Sequence, residues 1–193
     1  MSILWILGEA KSGKSELAEE IFARLPGSKF YIGTLPRTPQ WMETIAKHAA
    51  RRPKTWKLIE ISNSLEPARE EISHHKGPTA VLLDGWGVYA RERATHWPGS
   101  PADEERFVKE LFGEYQAFCQ ACDHLVVVAH ISAMPPTPTE YAQDRITARV
   151  RAITSRCLQE ADLVIYHDRE DVSHQDVDYV ESVVSKMRQE ERP

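Results

Sequence analysis

Five short apolar runs punctuate the chain: Ile3–Leu7, Lys29–Ile32, Ala80–Leu83, Leu125–Ala129 and Leu163–Tyr166. Each has the length of a strand and is apolar on successive positions, the pattern of strands covered by helices on both faces. The segments between them change period. In Lys14–Leu25, Leu17, Ile21 and Leu25 recur at helical spacing with Ala18 and Phe22 beside them, which makes one face apolar. Pro39–Arg51 puts Met42, Ile45, Ala46 and Ala49 on one face, and Pro101–Cys122 and Thr139–Glu160 are longer segments of the same kind. Trp56–Ile61 predicts a further, more exposed strand. From Val172 onward the chain is polar with a weak stripe of Val177, Val180, Val183, Val184 and Met187, which predicts an appended helix that frays at its end.

Strands alternating with helices predict an α/β fold, a mostly parallel β-sheet with helices on both faces and right-handed crossovers. The expected organisation is one nucleotide-binding domain over 1–171 and an appended helix or tail over 172–193. The Pro-rich stretch Met134–Pro138 reads as a loop beyond a strand end and not as a linker.

Composition changes this picture little. A chain of 193 residues with 41% hydrophobic residues can bury a core without metal or disulfide staples. The formal net charge of −5 removes an overall attraction to nucleic acid or anionic membrane. Cys119, Cys122 and Cys157 form no even-numbered disulfide framework, and the apolar N-terminus MSILWILGEA is too short to span a bilayer. The expected location is cytoplasmic. Cys119 and Cys122 form a lone CxxC with no partner pair, so they read as cysteines at a helix end.

The chemistry sits directly after the first strand. Gly8-Glu9-Ala10-Lys11-Ser12-Gly13-Lys14-Ser15 is a complete G-x-x-x-x-G-K-[ST] phosphate loop, expected between a strand and a helix. Gly8 and Gly13 let the backbone amides turn inward on phosphate oxygens, and the helix beginning near Lys14 offers free N–H groups and a positive dipole end. Lys14 brings a full charge to the β and γ phosphates, and Ser15 offers a hydroxyl to Mg²⁺. Asp84 closes the run Thr79–Leu83, and the expected place of its strand is beside the first, where its carboxylate would share that metal. The domain is therefore expected to be of the P-loop NTPase type. Asp162 begins a strand and faces the other sheet edge. His130 ends one and is a candidate for substrate contact. His167-Asp168 follows the last strand, and Arg145, Arg149, Arg151 and Arg156 give one helix a basic cast.

A second pattern follows the loop: Tyr31-Ile32-Gly33-Thr34, then Met42, Ile45, His48, Arg52-Pro53, Trp56 and Glu60. Together with the loop wording and Asp84, it resembles the bifunctional adenosylcobinamide kinase/adenosylcobinamide-phosphate guanylyltransferase family of cobalamin biosynthesis, most closely over residues 1–85. The resemblance implies that His48 is a nucleophile carrying GMP as a phosphoramidate, with GTP and ATP as substrates and Mg²⁺ as cofactor. It implies that Arg52 and Glu60 join the loop in binding nucleotide. The cations beside His48, Lys47, Arg51 and Arg52, are expected to stabilise phosphate charge. It also implies a cobinamide-type acceptor and a homo-oligomer, a trimer in that family. The second half departs from the family wording: His130-Ile131-Ser132-Ala133 stands where an Asn-Glu pair and a Gly-rich turn are usual. A different small-molecule P-loop kinase, or a non-catalytic nucleotide-binding offshoot of the family, remains open at this level.

Overall fold

In the computed structural model, which describes residues 1–99, 103–130, 145–167 and 177–189, six parallel strands form one sheet in the order β3-β2-β4-β5-β1-β6. The elements run β1 (Ser2–Gly8), α1 (Lys14–Arg24), β2 (Ser28–Gly33), α2 (Pro39–Arg51), β3 (Lys57–Glu60), α3 (Glu66–Ser73) and β4 (Thr79–Asp84). They continue with α4 (Trp86–His96), α5 (Glu104–Cys119), β5 (His124–His130), α6 (Arg145–Leu158), β6 (Leu163–His167) and α7 (Val177–Gln189).

All five apolar runs are strands, and the exposed segment Trp56–Ile61 contains β3, an edge strand. The central strands are apolar at successive residues because each face of the sheet has its own core. Ile3, Trp5 and Leu7 of β1 join Val81, Leu83, Leu125 and Val127 on the side covered by α3, α4, α5 and α6. Leu4 and Ile6 join Leu82, Val126 and Val128 on the side covered by α1 and α7. In α7, Val180, Val183, Val184 and Met187 are buried in this second core.

Two helices escape the apolar-run reading. Segment 86–96 carries a buried stripe of Trp86, Tyr89, Ala90 and Ala94, with the Trp86 indole donating to Thr154 Oγ1 at 2.9 Å. Its two aromatics and Gly87 blur the helical period. The other is α3, eight residues long, which buries only Ala68 and Ile72 and otherwise reads as polar linker. The segment expected as one helix from Pro101 begins at Glu104, and of the helix expected from Thr139 the described part is Arg145–Leu158. Met134–Pro138 and Asp168 lie outside the described residues.

The strand order corrects one expectation. β4 is not beside β1, since β5 pairs with both. Asp84 still reaches the loop because α1 starts above β1 and must cross β5 and β4 to deliver the chain to β2. Its first turn comes within reach of the end of β4, where Ser15 Oγ donates to Asp84.

Candidate active site

β1 ends at Gly8, and five residues separate it from the start of α1 at Lys14. The turn between them takes two left-handed residues, Lys11 at φ 60° and Gly13 at φ 95°. Only glycine enters that region freely, so a lysine there marks a backbone held against its preference by its surroundings. Gly13 is the N-cap of α1 and has no side chain to cap it, so the first-turn amides are open to an anion. Gly8 serves differently from what its motif position suggests. Its φ is not positive; a Cβ there would lie 2.4 Å from the His167 carbonyl oxygen and 2.8 Å from Ser12 Oγ. The glycine is needed for close approach to β6. The Ser12 hydroxyl is buried in the loop and has no hydrogen-bond partner among the described residues, as expected of a donor meant for a ligand.

The Lys14 ammonium donates to the Glu9 carbonyl across the loop at 2.8 Å. Burial holds its pKa below the ordinary lysine value, against the opposing pull of Asp84, Glu16 and Glu9. Ser15 Oγ donates to Asp84 Oδ1 at 3.3 Å. A hydroxyl and a carboxylate side by side form a hard-oxygen pair that suits Mg²⁺.

Asp84 divides its two oxygens. Oδ1 faces Ser15, while Oδ2 accepts the Tyr31 hydroxyl and lies 3.3 Å from His48 Nδ1. Burial alone would raise its pKa, but the contacts with His48 and Tyr31, aided by Arg52, outweigh that and hold the carboxyl below its ordinary value. The same burial beside a carboxylate pushes the Tyr31 phenol well up. The strand end is fixed from behind, where the Thr34 hydroxyl lies 3.0 Å from the Asp84 carbonyl and 2.9 Å from that of Gly85. Gly85, at φ 97°, is the N-cap of α4, and a Cβ there would lie 2.4 Å from Thr34 Oγ1.

His48 arrives on α2, a helix with no buried residue; its Met42 is 47% exposed. Polar contacts to α1 therefore position this helix. Arg51 hydrogen-bonds to Glu16 and reaches Glu19 with Nε 3.2 Å from Oε2. Arg52 lays its guanidinium over the Tyr31 ring, 3.3 Å from the centroid, and Nε stands 4.0 Å from Glu19 Oε1. Just beyond, Trp56 packs edge-on against Phe22 of α1 at 4.7 Å between centroids. These contacts seat the end of α2 above Asp84. Glu19, only 12% exposed in its side chain, also lies 3.8 Å from His48 Nδ1, and burial pushes its carboxyl above the ordinary value despite Arg51 and His48. Glu19, His48 and Asp84 together make the one potential metal-ligating cluster among the described residues.

Of the residues singled out from sequence, those of the loop, His48, Arg52 and Asp84 thus meet at one sheet edge. Glu60, at the end of edge strand β3, is instead paired with Arg37 at 2.8 Å, and Lys47 with Glu43 at 2.7 Å. His130 Nε2 stands 3.6 Å from Glu9 Oε2, at the rim of the loop. His167 is buried beside Gly8. Asp162 accepts the Ile3 amide at the opposite edge. Arg149 and Arg156 lie over aromatic rings, Trp97 and Phe107 for the first and Phe112 for the second, so these two are packing cations. Cys119 and Cys122 are buried thiols.

Glu19 and Tyr31 were not singled out as site residues. Glu19 falls one helical turn after Ser15, so it shares the face of α1 that carries the Ser15 hydroxyl. That spacing was readable. The partner it meets was not.

The family model described as cobinamide kinase / cobinamide phosphate guanyltransferase matches residues 4–167, including the second half where the local wording departs. No curated protein matches the chain.

Proposed function

The chain belongs to the cobinamide kinase / cobinamide phosphate guanyltransferase family, and on that premise we propose that it performs both phosphorus chemistries at one site. In the first, the loop amides and Lys14 stabilise the charge of ATP or GTP while the γ-phosphoryl group passes to the hydroxyl of the aminopropanol arm of adenosylcobinamide. In the second, His48 takes GMP from GTP and passes it to the new phosphate, giving adenosylcobinamide-GDP. Mg²⁺, held by Ser15 and Asp84, would neutralise phosphate charge in both steps.

The observation that carries this reading is the meeting of His48 and Ser15 on the two oxygens of Asp84. A histidine that served only as surface would not need a place on the carboxylate that faces the phosphate loop. Arg52, stacked on Tyr31, stands where it can meet phosphate charge, and Glu60 with Arg37 forms a polar rim farther along the edge. The acceptor is a cobinamide-type small molecule, and the chain is proposed to work as a cytoplasmic homo-oligomer, a trimer by family likeness. No described helix is long and apolar enough to cross a membrane.

The test is incubation with GTP labelled at the α-phosphate, followed by denaturation. Acid-labile, alkali-stable label on the wild type and none on His48→Ala is the expected result. Label that persists in His48→Ala removes His48 from the role, and a wild type that takes no label overturns the guanylyl-transfer reading.

A further inference from the structure

We infer that His48 accepts GMP on Nε2, and that Asp84 and Glu19 act as positioning residues which hold its Nδ1–H; this rests on the guanylyl-transfer reading above. The two ring nitrogens are inequivalent here. Nδ1 is buried and makes no hydrogen bond among the described residues; the oxygens that face it are Asp84 Oδ2 at 3.3 Å and Glu19 Oε1 at 3.8 Å. These are longer than tight hydrogen bonds, as catalytic contacts often are before substrate binds. Turning the ring over would set a carbon against a buried, ionised carboxylate, so the nitrogen belongs on that side. A carboxylate that engages one nitrogen fixes the tautomer and leaves the lone pair on the other. Nε2 is thus the nucleophilic atom.

The same arrangement explains why two carboxylates face one imidazole. When the Nε2 lone pair attacks the α-phosphorus, an N–P bond forms and the P–O bond to the β-phosphate breaks, with pyrophosphate leaving. Nδ1 keeps its proton, so the ring becomes a cation. Asp84 and Glu19 sit where that charge develops, and no base has to remove a proton. In the return step the acceptor phosphate oxygen attacks phosphorus, the N–P bond breaks, and its electron pair goes back to Nε2. Arg51, which reaches Glu19 from the far side, keeps that carboxylate facing the ring. Asp84 is shared between this task and the Ser15 side of the site, whereas Glu19 meets His48, Arg51 and Arg52. Glu19 is therefore the residue whose change isolates the positioning effect.

The experiment reads the attachment atom directly. Wild-type protein is labelled from GTP, its guanosine is removed by periodate oxidation and mild base, and the protein is hydrolysed in alkali. Phosphohistidine is then resolved by chromatography against the Nδ1 and Nε2 isomers. The Nε2 isomer is expected; the Nδ1 isomer overturns the inference while leaving guanylyl transfer intact, and no phosphohistidine at all overturns both. In parallel, Glu19→Gln should lower the rate of label uptake at saturating GTP by about tenfold, the usual size for a group behind a ligating or reacting histidine, with KM for GTP within about twofold of wild type. An unchanged rate, or a loss confined to KM, overturns the role given to Glu19.

Discussion

The Ser15 hydroxyl and the Asp84 carboxylate lie 3.3 Å apart although a whole strand, β5, separates the strands that precede them. Helix α1 closes that gap by crossing the sheet. The contact makes one carboxylate common to Ser15 and to His48, so a single conservative change at this carboxylate should affect both proposed reactions. Asp84→Asn keeps the shape but removes the charge. Initial-rate assays of cobinamide phosphorylation and of label uptake from GTP should both fall at least about tenfold, consistent with losing one electrostatic partner of the transition state. Loss of one activity alone would show that the two steps do not share this group.

The pH dependence of stability follows from the same residue. In the folded protein the Asp84 carboxyl lies below its ordinary value of 3.8, so the folded state binds its proton less readily than the unfolded one. Its contribution is complete above the unfolded value and is lost as pH falls through the lower folded one. Tyr31→Phe removes a donor to Oδ2, which moves the folded value upward and brings the loss to higher pH. Urea unfolding from pH 7 to pH 3 should show the variant losing stability earlier on the acid side. Parallel curves would mean that the phenol does not support the charge.

Gly8→Ala tests the close approach of the loop to β6. The added methyl would meet the His167 carbonyl at 2.4 Å, a backbone atom that cannot swing aside. Overpacking of this kind costs about 1–3 kcal/mol, measurable by urea unfolding. The strand end must also shift, so nucleotide affinity by fluorescence titration should fall together with stability. A variant with parental affinity would remove the steric account of Gly8.

The CxxC pair should be chemically silent in the native protein. Burial pushes the Cys119 thiol up to about 12 and raises Cys122 and Cys157 well above the ordinary value, and the thiolate is the reactive form. A thiol reagent at pH 8 should titrate none of the three cysteines in native protein and all three in denaturant. Rapid native reaction of Cys119 or Cys122 would revive a redox role.

Arg52→Lys keeps the charge but loses the planar group that stacks on Tyr31. A cation–π contact of this partly buried kind contributes about 1 kcal/mol, and here it helps to seat α2. Label uptake on His48 should slow by about fivefold, the rate equivalent of about that energy, and circular dichroism should remain parental. Parental uptake would indicate that other contacts suffice to seat the helix.

The class of fold, the phosphate loop and the family were legible in the chain by itself. Strands covered on both faces must be apolar at successive residues, and a phosphate loop needs its glycines, lysine and serine within eight consecutive positions, so both signals are local. Helices α3 and α4 were not legible, because one buries only two residues and the other mixes its stripe with aromatics and glycine. Tertiary structure alone decided that β5 separates β1 from β4, that Gly8 is required by its neighbour and not by its φ, and that Glu19 and Tyr31 belong to the site. It also set the company of His48. From sequence its neighbours were the cations Lys47, Arg51 and Arg52, but folding turns Lys47 to Glu43, Arg51 to α1 and Arg52 to Tyr31, and brings two carboxylates to the ring. Which side chains meet across α1, α2 and β4 depends on how the helices cross the sheet, and residues far apart in the chain carry no local mark of that meeting.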